Sequence, residues 1–70
     1  MEYQITLTDR VEQILVELSS AGMDEVWELI CREAATPRCV SNAEGFGERA
    51  WITYDADMDH ITIRDAGWIG

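Results

Sequence analysis

Few residues in this chain have types and spacings that could do chemistry. Asp55, Asp57 and Asp59 stand at alternate positions, as the first carboxylates of a calcium loop do. A full loop needs Gly at its sixth position and a bidentate Glu at its twelfth; here those positions hold His60 and Ala66. The segment therefore reads as a solvated hairpin turn, a setting that Asp favours because its side chain bonds nearby backbone. His60 is the single histidine, and a general base needs an orienting partner and a pocket. Asp59 precedes it, but neighbours on a strand point to opposite faces, so His60 reads as a surface residue. Cys31 and Cys39, with that one distant His, fall short of the ligand set of a zinc site. Ser19, Ser20 and Ser41 lie in neither a G-x-S-x-G nor an S-x-x-K context, and no glycine loop is placed to cradle a phosphate. The expectation is no catalytic residue, no metal, no cofactor and no enzymatic activity.

What remains is charge. The 70 residues include 14 Asp and Glu against five Arg and no Lys, a formal net charge of −9. Charge of one sign costs stability through self-repulsion, and roughly 2–8 charges suffice to keep a small domain soluble. Such a surface repels nucleic acid and anionic membrane. It attracts basic protein surfaces, many of which are built to hold nucleic acid. Carboxylates three or four residues apart on a helix stand about 5–6 Å apart, a spacing similar to that of phosphates along a nucleic-acid strand. On this basis Glu12, Glu17, Asp24, Glu25 and Glu28 are the expected partner-binding groups, with Asp57 and Asp59 secondary. Trp68 is a further candidate: it either folds back over the sheet or is an exposed aromatic anchor of the kind that dominates interface energy. Trp27 and Trp51 are expected in the core.

The elements that must position these groups follow from periodicity. The length allows one domain, residues 1–70, and the 47% hydrophobic content is that of a folded protein. Residues 3–7 alternate as a short strand or an extended lead into a helix. Val11, Ile14, Leu15 and Leu18 mark one face of a helix over about 8–19, capped by Thr8 or Thr6 and closed by Gly22 in a left-handed conformation. A second helix is predicted over about 23–35, with Asp24 and Glu25 in its first turn and Thr36-Pro37 as its stop. Then the period falls to two. Strands are predicted over 39–43, 49–54 and 60–64, with turns at 44–47 and 55–59 and a tail from Asp65. The fold class is α+β: two helices on one face of an antiparallel sheet of three strands, or four if 3–7 joins. Met1-Glu2-Tyr3 lacks the basic start of a secretory signal, and no apolar run reaches membrane-spanning length. A cytoplasmic protein with free thiols is expected, its oligomeric state open.

A small acidic α+β chain with these helix faces, Asp9–Glu17 and Asp24–Glu28, and with the Asp55-x-Asp57-x-Asp59 turn, resembles phage-encoded anti-CRISPR proteins of the DNA-mimic kind. The resemblance lies in size and charge over the whole chain. It implies an inhibitor that works in the host bacterial cell, binds a DNA-binding subunit of a type I CRISPR surveillance complex and keeps target DNA out, touching neither nucleic acid nor membrane itself. The other expectation is an interaction module that imitates no nucleic acid, such as an antitoxin, adaptor or subunit. Its interface would be apolar, built on Trp68, Ile69 and Phe46.

Overall fold

The computed structural model describes residues 4–36 and 38–69. Its elements run β1 (Gln4–Leu7), α1 (Asp9–Glu17), α2 (Ser20–Ala34), β2 (Val40–Phe46), β3 (Ala50–Ala56) and β4 (His60–Trp68). They form an α+β fold with one sheet, ordered β1-β4-β3-β2. The first strand joins the sheet, and it runs parallel to β4 while β2, β3 and β4 are antiparallel. The sheet is therefore mixed, not wholly antiparallel. Tyr3, the Met1-Glu2-Tyr3 opening and Pro37 lie outside the described residues.

Each helix starts where a hydroxyl can satisfy an orphan amide. Thr8 accepts from the Val11 N–H and Ser19 from the Gly22 N–H. The second helix thus begins three residues before the predicted start. Gly22 lies inside its first turn instead of closing α1, and none of the described glycines has a positive φ. The reason is packing across the whole chain: a Cβ at Gly22 would stand 2.8 Å from the Trp68 ring. With the start moved, Asp24 and Glu25 fall outside the first turn.

The strands run longer than their alternation suggests. Ala50, Ile52, Tyr54 and Ala56 point inward, and Ile61, Ile63 and Ala66 do so beside them. Tyr54 pairs with Ile63 but Thr53 with Asp65, so an extra residue bulges β4 and restores its inward pattern beyond Arg64. That bulge carries β4 through to Trp68, which is strand and not tail. The predicted turn at 44–47 belongs largely to β2, and the true turn is Gly47-Glu48-Arg49. Val11 and Leu15 from α1 and Val26, Leu29 and Ile30 from α2 complete the core. Both helices cover the same sheet face, and the other face is open.

Candidate protein-binding surface

The aromatic residues occupy places that the sequence did not assign correctly. Trp68 is half-buried and packs against the core, on Gly22. Its indole N–H donates to Glu25 Oε1 at 3.2 Å. Neither of the two alternatives describes it: Trp68 is itself a residue of β4, and its ring packs from the sheet against α2, neither folding back as a tail nor standing as an exposed anchor. Trp51 lies on the open face, one residue out of phase with the inward series, and its indole covers Gly67 so closely that any side chain there would collide. Trp27 is 37% exposed. Neither belongs to the core as expected. Phe46, in register with Trp51, is 63% exposed, and Ile69 is 76% exposed.

The carboxylates divide by what they touch. Among the described residues, arginine ion pairs use Asp65 (Arg10, 3.0 Å), Glu33 (Arg38, 2.8 Å; Arg32, 3.7 Å) and Asp55 (Arg64, 3.3 Å). Glu33 also accepts from the buried Tyr54 hydroxyl at 2.6 Å, to which Arg38 donates at 2.6 Å. Burial, with the neighbouring Glu33 charge, holds the Tyr54 hydroxyl above its ordinary pKa. Asp55 accepts from the Asn42 N–H at 2.8 Å and so pins the residue of β2 that adopts φ 53°. Asp55 is half-buried, short of the full exposure expected for it.

Glu25 belongs with these fold-serving acids, although the sequence placed it on the outer face. It is half-buried, and its Oε2 accepts from the Arg49 N–H at 2.6 Å. That backbone bond, aided by the Trp68 indole, holds its carboxyl below the ordinary 4.5. Glu25 staples α2 to the Gly47-Glu48-Arg49 turn and to the end of β4.

Glu12, Glu17, Asp24 and Glu28 are exposed and enter no ion pair among the described residues. Glu12, with Asp9, lies in the first turn of α1, where the helix dipole favours acid. Glu17 ends the same helix. Five positions on, it points about 140° away from Glu12 at 3.6 residues per turn. Asp24 and Glu28, four apart, share one line of α2. They line a groove of about 660 Å³ between α2 and the turn, and Glu48 joins them from the far wall. Sequence reasoning missed Glu48; only a hairpin register that put the turn at 47–49 would have revealed it.

Asp57 and Asp59 are exposed, in the β3–β4 turn. Ala50 pairs with Trp68 at one end of the hairpin and Ala56 with Ile61 at the other, so this turn lies at the opposite end of the sheet from Glu48. The eight expected binding residues therefore do not form one surface. Asp24 and Glu28 converge, with Glu25 beneath them; Glu12 and Glu17 occupy a second helix; Asp57 and Asp59 sit apart; Trp68 is inside. His60, on the open face, shares a 2.6 Å hydrogen bond with Thr6 of β1. Cys31 and Cys39 are free and exposed. Among the described residues, no three His, Cys, Asp or Glu side chains converge as metal ligands would, and no helix is long and apolar enough to cross a membrane. No family model, curated protein or solved structure matches the chain.

Proposed function

We propose that this chain is an inhibitor that occupies the basic, nucleic-acid-binding surface of a partner protein, acting as a DNA mimic. The favoured target is a type I CRISPR surveillance complex in the host cytoplasm, which the protein would keep from its target DNA. The supporting observation is the division of the carboxylates. Four of the five arginines pair with Asp65, Glu33 and Asp55, while Asp24, Glu28 and Glu48 stand exposed around one groove that Arg32, paired with Glu33, also lines. Asp24 and Glu28, four apart on one helix, repel each other, and this cost turns into attraction when a partner's Lys and Arg arrive. A rigid helix presents them in place of phosphates.

The test is a mobility-shift assay of target DNA on a purified type I surveillance complex. Wild-type protein should abolish the shift. The Asp24→Lys/Glu28→Lys variant should leave it intact, while its circular dichroism matches the wild type. Full inhibition by that variant would sink the proposal.

A non-mimic interaction module is the second reading. The exposed Phe46 and Ile69 favour it, although Trp68, on which it was to be centred, is committed to the core. It predicts an affinity that changes little with salt, where the first reading predicts a steep decline.

A further inference from the structure

Beside the acidic groove lies a second concavity of different chemistry. It measures about 480 Å³, and Phe46, Trp51, Ile69 and Ala50 supply its apolar walls. Its construction follows from the strands. Phe46 faces Trp51 across β2–β3, and Trp51 in turn lies across Gly67 of β4. Cross-strand neighbours of this kind have Cβ atoms about 4.5–5.5 Å apart, so the two rings make one platform. Ile69 borders it after a backbone bond from its N–H to the Arg49 carbonyl at 2.8 Å. Among the described residues no helix covers this face.

The two concavities share a wall. Gly47 and Glu48 line both, so acid and aromatic platform form one continuous surface around the β2–β3 turn. Among the described residues Arg49 is the one cation lining the platform, and Glu48 and Glu44 flank Phe46 in sequence.

A second copy of the chain is a poor occupant. Two molecules of net charge −9 repel, and apposed platforms would bring Glu48 against Glu48. Strand addition at the β2 edge is hindered as well: Arg32 occupies the Phe46 carbonyl, and the irregularity at Asn42 disturbs the strand.

We propose that this platform receives an apolar side chain from a basic segment of the partner protein, whose flanking Lys or Arg reach Asp24, Glu28 and Glu48. The inference rests on the reading of the chain as a ligand for a basic surface, and it adds what a phosphate mimic alone lacks: a pocket that recognises protein. Charge brings the segment in; the apolar side chain fixes its register on the surface.

Two synthetic peptides test this by calorimetric titration and amide chemical-shift mapping. One carries a central Leu flanked by Arg on both sides; the other has Ser in place of Leu. The Leu peptide should bind the wild-type protein roughly tenfold tighter, as burial of one aliphatic side chain predicts. Its shifts should centre on Phe46, Trp51 and Ile69. The advantage should vanish in Phe46→Ser/Ile69→Ser, both exposed positions, and shrink in Gly67→Ala, which lifts the Trp51 ring. Equal binding of both peptides, lost in Asp24→Lys/Glu28→Lys, overturns this inference and leaves the acidic reading standing. If neither peptide binds, or if a Leu peptide with Gln for Arg binds as well, both readings fail. A concentration-dependent dimer that Phe46→Ser abolishes assigns the platform to a second copy and overturns the inference.

Discussion

The acids that bond within the fold and the exposed acids of the helices are the same chemical groups with different work to do. Glu33, Asp55, Asp65 and Glu25 each hold a donor that would otherwise be left loose: an arginine, a buried hydroxyl or a backbone N–H. Asp24, Glu28 and Glu17 hold none among the described residues, and they are exposed. Net charge alone cannot make that distinction. It shows how much negative charge the chain carries; only geometry shows how much is left for a partner.

The sharpest way to break the comparison is at Trp68, which ties Glu25 to the fold. Trp68→Ala should cost about 3 kcal/mol, the low end for emptying an aromatic core site, as it removes packing on Gly22 and strands a Glu25 oxygen. A chain of this length has only about 4–10 kcal/mol in total, so the urea midpoint should drop steeply. A midpoint within error of wild type would return Trp68 to the list of interface anchors. Tyr54→Phe should cost less, about 1 kcal/mol, since Arg38 and Glu33 can still pair with each other. Equilibrium denaturation measures both.

Glu25 sharpens the comparison through pH. Its folded pKa lies below its ordinary 4.5, so its contribution is present above that value and disappears as pH falls through the folded pKa. The difference between wild type and Glu25→Gln isolates the staple. Wild type should have the higher melting temperature at pH 7, and the gap should close towards pH 3. A constant gap would mean that the charge of Glu25 contributes nothing to the fold. Smallest of all, Glu28→Gln or Glu17→Gln should move stability by less than about 0.5 kcal/mol, the scale of surface changes. A larger loss in either would show that the helix-face acids are also part of the fold.

Much of the fold was legible in the sequence because local pattern decides it. Val11, Ile14, Leu15 and Leu18 declare α1, and the alternation over Ala50–Tyr54 declares β3. The errors came from contacts between distant residues. Gly22 resembles a helix terminator until Trp68, 46 positions later, is seen to need its bare Cα. Trp51 is the largest apolar side chain of β3, yet the smaller Ala50, Ile52 and Tyr54 face the helices. Alternation gave two faces, and size chose the wrong one. For the candidate site, exposure was legible for Glu12, Glu17, Asp24, Glu28, Asp57 and Asp59. The bonds that commit Glu25 and the register that delivers Glu48 depend on the Gly47-Glu48-Arg49 turn, which a glycine-bracketed reading put too early.

The central claim is that Asp24 and Glu28 are binding groups, and the salt dependence of affinity tests it most directly. Binding to an immobilised type I surveillance complex would be measured over a series of salt concentrations for wild type and for Asp24→Asn/Glu28→Gln. The account predicts that wild-type affinity falls steeply with salt and that the variant binds more weakly with a shallower slope. Identical slopes and affinities for the two proteins would contradict it.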